Sequence, residues 1–205
     1  MAATPEKTTE VVVFDFDGTL TTADTFVRLL LFARGGWGTA WLLLRFMPML
    51  MLMMVGLYDG AKAKERLFGH CFGGMALADF NRLCDSFARQ NACLLRSDTM
   101  QLLRQASLSG THVAVVSASV SNWVCRFLPG VRVISTAVEV SGGILTGRFS
   151  TPDCIGEEKV RRLLQVFPRR THYRLTAYGD SRGDRQLLAF ADEKHWVGTR
   201  QRGTG

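Results

Sequence analysis

Residues 11–20 read VVVFDFDGTL, an apolar run that ends in two carboxylates one residue apart. Val and Phe favour a strand, and a continuous apolar run suits a parallel strand that is covered on both faces. Side chains alternate along a strand, so Asp15 and Asp17 would share one side, and Gly18 would allow a sharp turn. Because the two negative charges repel, a divalent cation is their simplest compensator, and oxygen ligands at this end of a strand suit Mg²⁺. An Asp-Gly turn with solvated acids is the alternative.

The composition indicates a folded globular protein. The chain has 205 residues, of which 47% are hydrophobic and 21% charged, enough for one domain or one domain with an insert. The net charge of +7 could favour anionic partners. Arg162, Arg169 and Arg170 fit a solvated helix face and its exit equally well, so we expect no nucleic-acid partner.

Cysteine usage and the first residues indicate a reducing compartment. The five cysteines form no C-x-x-C pair and have no His at zinc-ligand spacing, so we expect reduced, mostly buried thiols. The first ten residues are polar and contain no apolar signal region, which predicts a cytoplasmic location. The P-loop, α/β-hydrolase and zincin motifs are absent from the sequence.

The order of the predicted elements indicates an α/β fold with an insert. Residues 22–95 are predicted to be helical throughout. Beyond them helices and strands alternate, which is typical of a mostly parallel sheet. The predicted strands are 112–116, 131–137, 174–178 and 195–197, the predicted helices are 97–110, 157–166 and 184–190, and a hairpin is predicted through 141–143.

The segment 41–58, AWLLLRFMPMLMLMMVGLY with the preceding Ala40, is nearly long enough to cross a bilayer. A single crossing would leave Asp15 on one side of the membrane and everything beyond residue 60 on the other, so one site could not assemble. The remaining options are a buried helix, a shallow hairpin broken near Pro48, or a face in the headgroup region. Met-rich apolar helices are more often core, so we expect this segment to be buried or partly buried.

Three later stretches carry groups that suit a phosphate site. Ser117 follows the second predicted strand, and the backbone N–H groups of Ala118 and its neighbour Ser119 could bind phosphate at a helix start. Lys159 lies in the first turns of a predicted helix and could reach a phosphoryl oxygen. Each of these residues is common by itself, and their order along the chain is what favours a site.

A second pair of carboxylates repeats the pattern of the first. Asp180 follows Gly179 at the end of a predicted strand, and Asp184 comes four residues later. Carboxyl ends of parallel strands meet at one edge of a sheet, so these groups are predicted to lie near Asp15 and Asp17.

These motifs together resemble those of the haloacid dehalogenase superfamily, and VVSAS, GEEKVRRL and AYGDSRGD are similar to its phosphoserine phosphatase-like branch. The resemblance covers residues 10–20 and 97–198, and it implies an α/β fold: a Rossmann-like three-layer core with a mostly parallel sheet. It further implies an all-helical cap inserted after the first strand. The implied core is 1–21 with 97–205, and the implied cap is 22–96.

The resemblance also implies roles in phosphomonoester hydrolysis. Asp15 would be the nucleophile that forms an aspartyl-phosphate, and Asp17 would protonate the leaving group and then activate water. Ser117 and Lys159, with Ala118, would hold the transferring phosphoryl oxygens.

Mg²⁺ is the implied cofactor. Its implied ligands are Asp15, the backbone carbonyl of Asp17, and Asp180, while Asp184 would orient Lys159 or a metal-bound water. Gly18 and Thr19 are implied supporting residues. Family members often carry an Asn-Pro pair after the last strand, where this chain has Val197 followed by 198–205, so we expect a shortened carboxyl-terminal edge.

Three functions are compatible with this pattern. The first is a Mg²⁺-dependent phosphatase that acts on a small soluble phosphorylated substrate. The second is a lipid phosphate phosphatase, resembling phosphatidylglycerophosphate phosphatases, that acts on a phospholipid headgroup with residues 41–58 in peripheral membrane contact. The third is a phospho-receiver or regulatory binder, against which the acid at Asp17 and the large cap both argue. The oligomeric state is left open.

Overall fold

The computed structural model describes residues 9–198, which form a parallel sheet, seven helices and a separate hairpin. The five parallel strands have the order β3-β2-β1-β6-β7. The strands are β1 Thr9–Phe14, β2 His112–Val120, β3 Arg132–Thr136, β4 Val138–Ser141, β5 Ile144–Phe149, β6 Tyr173–Gly179 and β7 Glu193–Trp196. The helices are α1 Thr25–Met54, α2 Gly60–Phe72, α3 Leu77–Gln90, α4 Ser97–Leu108, α5 Ser121–Phe127, α6 Glu157–Val166 and α7 Arg185–Phe190.

The opening stretch forms the central strand of the sheet. β1 pairs in parallel with β2 on one side and with β6 on the other. Its side chains alternate between two cores, since Val11 and Val13 pack with α6 and α7 while Phe14 packs with the residues of α4 and α5. The predicted α/β fold, with a mostly parallel sheet between two helical layers, is therefore confirmed.

The insert after β1 is helical, as predicted, and consists of α1, α2 and α3. The first of them, α1, is interrupted by a single non-helical residue, Gly35, with φ 69° and ψ 174°. Thr39 donates a hydrogen bond to the carbonyl of Leu30 across this break at 3.1 Å. The chain therefore changes direction within α1 at one non-helical residue, and the residues on both sides of it are helical.

The predicted hairpin is present, and it packs on the helical insert rather than on the parallel sheet. Gly69 of α2 and Gly147 of β5 meet so closely that a Cβ at Gly69 would lie 2.7 Å from the Gly147 carbonyl oxygen. Nearby, the Phe68 and Phe149 rings are 5.1 Å apart, and the Phe149 N–H donates to Glu65. A short antiparallel sheet thus supports the insert from outside its own sequence.

The expectation that residues 41–58 are buried or partly buried holds only in its weaker form, since the segment is partly buried. One face of this segment, with Leu42 and Met49, packs inward, and Phe46 and Trp41 contact His70 of α2. The other faces are exposed because no element within residues 9–198 covers them. By length and composition α1 could cross a membrane, and only 17% of its most apolar window is buried.

Three smaller expectations compare with the structure as follows. All five cysteines are free, but only Cys84 and Cys154 are buried, so the thiols are less buried than expected. The sequence pattern missed α5, whose seven residues follow directly on β2. The expected shortening of the carboxyl-terminal edge stays a prediction, because residues 199–205 lie outside the described range, which ends at Gly198.

Candidate active site

The carboxyl ends of the central strands open into a cavity of about 650 Å³ between the sheet and the insert. Asp15 lies at its floor, directly after β1, and its backbone N–H donates to the Tyr178 carbonyl of β6 at 2.9 Å. The cavity lining contains eight of the residues that the sequence singled out: Asp15, Asp17, Gly18, Ser117, Ala118, Lys159, Asp180 and Asp184. Parallel strands bring these distant segments together at one edge.

Lys159 is the buried cation at the centre of the site. Its side chain is 2% exposed, and its Nζ donates to Asp15 Oδ1 and to Asp184 Oδ1, each at 2.5 Å. Burial opposes the charge on this ammonium, but Asp15 and Asp184 together raise its pKa, so it stays protonated. It is positioned by α6, whose third residue it is, and α6 packs through Leu163 on the β1 side that carries Val13.

The two carboxylates on Lys159 have different environments. Burial raises the pKa of Asp15 to about 7, against the lowering effect of Lys159. Burial also acts on Asp184, but there Lys159 and hydrogen bonds from Ser181 lower the pKa below its usual range. Asp184 is thus a fixed anion that orients Lys159, and Asp15 is the carboxylate whose charge depends on what binds beside it.

Asp17 does not bind Lys159, and a separate set of donors holds it. Its carboxylate accepts hydrogen bonds from the Thr25 N–H at 2.7 Å, the Thr25 hydroxyl at 2.6 Å and the Ser119 hydroxyl at 2.5 Å. The Thr25 hydroxyl in turn accepts from the Trp123 indole at 3.0 Å. Burial raises the pKa of Asp17, and these hydrogen bonds lower it in part. The first residue of α1 therefore fixes the position of this carboxyl.

Ser117 is buried at the cavity wall, but the backbone around it differs from the expectation. β2 continues to Val120, with an irregular register after Ser117, and α5 begins only at Ser121. The Ser119 N–H donates to the Ser117 hydroxyl at 3.0 Å, so this backbone donor already has a partner. Ser117 and Ala118 line the cavity from a strand end and not from a helix start.

Asp180 completes the acidic side of the cavity beside the Gly18 turn. Gly18 has φ +78°, and a Cβ there would lie 2.1 Å from an Asp180 carboxylate oxygen, so only glycine allows this approach. Thr19 donates to the other oxygen of Asp180 at 3.4 Å. Burial and the nearby Asp184 raise the pKa of Asp180, and the Thr19 hydrogen bond and the charge of Lys159 lower it in part.

The donor set fits a divalent metal ion. Carboxylate oxygens of Asp15, Asp180 and Asp184 lie within 4.8 Å of one another, and hard oxygen ligands of this kind suit Mg²⁺. Asp15 and Asp180 belong to the predicted ligand set, and Asp184 was predicted to support it. The Asp17 side chain lies outside this cluster, and Thr25 and Ser119 hold it by hydrogen bonds.

Sequence reasoning missed Lys64, which brings a second cation from the insert to the cavity. Its Nζ donates to the Ala118 carbonyl at 2.5 Å and to Asp153 at 2.7 Å, and Asp153 also accepts from Thr136. These contacts join α2 to the ends of β2 and β3. A lysine in an ordinary helical segment gives no local signal of such a role. Thr25, which binds Asp17, does give one, because it comes directly after Asp24, the N-cap of α1.

Comparison with known sequences identifies relatives over most of the chain. The sequence pattern of the haloacid dehalogenase-like hydrolases matches residues 12–189. Protein CicA of Caulobacter vibrioides is 35% identical over 190 residues, which cover 90% of this chain and 84% of that protein. Proteins of the same name from two strains match equally.

Comparison with solved structures agrees on the fold. A protein of unknown function from Bordetella pertussis Tohama I has a TM-score of 0.79 at 23% identity, covering 92% of this chain and 89% of its own. A phosphoserine phosphatase with a phospho-aspartyl intermediate analogue has a TM-score of 0.61 at 16% identity, with 92% and 86% covered. A substrate-bound phosphoserine phosphatase has a TM-score of 0.63 at 17% identity, with the same coverage.

Proposed function

Because the chain belongs to the haloacid dehalogenase-like hydrolase family, we propose that it is a Mg²⁺-dependent phosphomonoester hydrolase that works through an aspartyl-phosphate. The observation that carries this proposal is the position of Asp15, which is buried at the cavity floor and bound to a protonated Lys159. A carboxylate there can act as a nucleophile, while the lysine offsets charge on the phosphoryl oxygens.

The first half of the proposed reaction transfers the phosphoryl group to the protein. An Asp15 oxygen attacks phosphorus, the ester P–O bond breaks, and the leaving alkoxide takes a proton from Asp17. Lys159 would bind the oxygens of the phosphoryl group that is transferred, and the Ser117 hydroxyl would donate a hydrogen bond to them. The raised pKa of Asp17 suits this role, because the carboxyl can be protonated nearer to neutral pH than an exposed aspartate.

The second half returns the protein to its starting state. Asp17, now ionised, takes a proton from a water molecule whose oxygen attacks phosphorus, and the Asp15–phosphorus bond breaks to release inorganic phosphate. Asp15 and Asp180, with Asp184 nearby, would hold Mg²⁺. When bound, Mg²⁺ would supply positive charge that favours ionised Asp15 and that offsets charge on the phosphoryl group.

The test is inorganic phosphate release with Mg²⁺ from a panel of soluble phosphomonoesters. We expect the wild type to hydrolyse at least one of them and Asp15→Asn to be inactive, because an amide is a poor nucleophile. Urea unfolding of both proteins controls for loss of structure. Equal phosphate release by the two proteins, or none by a folded wild type across the panel, would contradict the proposal.

A second candidate is the same chemistry on a lipid phosphomonoester. The observation that favours it is that the apolar end of α1 leads within six residues to Asp59 and Gly60, which line the cavity. A headgroup could then enter the cavity while its acyl chains stay outside. Phosphatidate and phosphatidylglycerophosphate in mixed micelles, added to the same panel, separate the two candidates: higher kcat/KM on these lipids than on soluble esters supports the second, and the reverse order supports the first.

A further inference from the structure

The most unusual surface of the molecule is the outer side of α1 and the loop after it. Eleven large apolar side chains are exposed between residues 37 and 57, and we name this set the α1 apolar surface. Its members are Trp37, Trp41, Leu43, Leu44, Met47, Met51, Leu52, Met53, Met54, Val55 and Leu57. Trp37 is 92% exposed and Met54 83%. Soluble monomers rarely expose a contiguous apolar patch of this kind, so it marks an interaction site.

The charged residues within 25–58 favour an anionic partner. They are Arg28, Arg34 and Arg45, all exposed, and acidic residues occur only just outside this range, at Asp24 and Asp59. The chain as a whole carries a formal charge of +7. Aliphatic side chains flanked by arginines, with tryptophans at one end, suit the boundary between the headgroups and acyl chains of an anionic bilayer.

The position of the residues on either side of α1 excludes a single membrane crossing by this helix. Asp15 precedes α1, and Lys64 follows it, yet both line one cavity, so the chain on the two sides of α1 stays together. The segment also breaks at Gly35 and contains Pro48, neither of which suits a straight span. Its inner face is occupied by α2 through Phe46 and His70, so only the outer face is free for lipid.

We propose that the α1 apolar surface docks on an anionic lipid bilayer, lying in the plane of its headgroup region, with the active-site cavity at the membrane surface. Both ends of the segment border that cavity, through Phe26 at the start of α1 and Asp59 beyond its end. The docking names the partner of the proposed hydrolase, but binding to lipid requires no catalysis. Failure of docking and failure of hydrolysis are therefore distinguishable.

The test is flotation of the full chain with vesicles of phosphatidylcholine that contain or lack phosphatidylglycerol. We expect the wild type to float with the anionic vesicles and to bind the zwitterionic ones more weakly. Leu44→Glu and Met51→Glu should each weaken the anionic-vesicle binding about tenfold, because each places a charge where the docked protein would insert an apolar side chain into the bilayer. Leu108→Glu, at an 87% exposed position on α4, is the matched control and should bind as the wild type does.

A second readout reports contact directly. Brominated acyl chains should quench tryptophan fluorescence of the wild type, and the double variant Trp37→Phe, Trp41→Phe should lose that quenching, since Trp123 is buried in the core and Trp196 lies on β7, outside the α1 apolar surface. Absence of vesicle binding by a folded wild type overturns the proposal, as does equal binding by Leu44→Glu and Leu108→Glu. Sedimentation in detergent-free buffer that shows a wild-type dimer, monomeric in Leu44→Glu, with no vesicle binding, assigns the surface to a second copy and also overturns it.

Discussion

Thr25 offers a test of how the insert positions the proposed general acid. Its hydroxyl donates to Asp17 at 2.6 Å and accepts from the buried Trp123 indole at 3.0 Å. Thr25→Val keeps the shape and the backbone N–H but removes both of these bonds. Leaving a buried indole N–H unpaired costs about 1–3 kcal/mol, and a lost bond to a carboxylate costs a comparable amount. We therefore expect the free energy of unfolding to fall by about 3 kcal/mol, which lowers Tm by roughly 6–12 °C in a chain of this size.

The kinetic effect of Thr25→Val should depend on the leaving group. General acid catalysis contributes roughly 10²–10⁴ to a rate, and a loosened Asp17 forfeits a part of it, so kcat/KM for an alkyl phosphate should fall about tenfold or more. 4-Nitrophenolate leaves without a proton, so kcat/KM for 4-nitrophenyl phosphate, which reports phosphoryl transfer to Asp15 and not the later hydrolysis, should change by less than about twofold. Substrate binding should change little, since Thr25 is fully buried and holds only Asp17, Ser119 and Trp123.

Two further variants complete the Thr25 experiment. Thr25→Ser keeps the hydroxyl and should restore the alkyl phosphate rate. Thr39→Val, also a buried threonine of α1, loses only a bond to a backbone carbonyl and should lower stability without any leaving-group dependence. Equal losses of kcat/KM for alkyl and nitrophenyl esters in Thr25→Val, or full alkyl activity, would refute the positioning role.

Other parts of the structure give equally direct expectations. Lys159→Met should lower kcat by roughly 10²–10³-fold and destabilise the fold by about 3–5 kcal/mol, because it leaves buried carboxylates without their cation. Phosphate release measures the first effect and urea unfolding the second, and an unchanged kcat would contradict the role of Lys159. Gly69→Ala should destabilise by about 1–3 kcal/mol, since its Cβ would press on the Gly147 backbone, and a wild-type denaturation midpoint would show that the hairpin does not pack there. A thiol reagent at pH 8 should label exposed Cys93 rapidly and Cys84 only after unfolding, because burial raises the pKa of Cys84 to about 12; fast labelling of Cys84 in the native protein would contradict its burial.

The parallel core could be predicted from the sequence because each of its elements has a strong local pattern. The run at 11–14 is apolar on both faces, and α6 in the structure has the same ends as the helix predicted at 157–166. The exposure of α1 could not be predicted, because an apolar helix has the same composition whether protein or lipid covers it. The attachment of the hairpin to α2 depends on a glycine-to-glycine contact between residues 69 and 147, which sequence distance conceals.

The candidate site likewise contains residues that could be predicted from the sequence and contacts that could not. Asp15, Asp17 and Asp180 could be located from their places at strand ends, since parallel topology alone brings those ends together. The network around Asp17 could not, because its donors Thr25 and Ser119, and Trp123 that donates to Thr25, come from three separate elements whose packing decides their contacts. The hydrogen bond from the Ser119 N–H to the Ser117 hydroxyl also depends on the irregular end of β2, which the sequence VVSAS does not indicate.

The central claim is that Asp15 becomes phosphorylated during turnover, and acid-quenched mass spectrometry tests it most directly. The wild type with Mg²⁺ and its best substrate should gain the mass of one phosphoryl group, located by peptide mapping on Asp15. The modification should be absent in Asp15→Asn and should accumulate in Asp17→Asn with a nitrophenyl ester, because that variant forms the intermediate but lacks the base that hydrolyses it. A phosphoryl group found on another residue, or turnover with none on Asp15 in the wild type and in Asp17→Asn, would contradict the account.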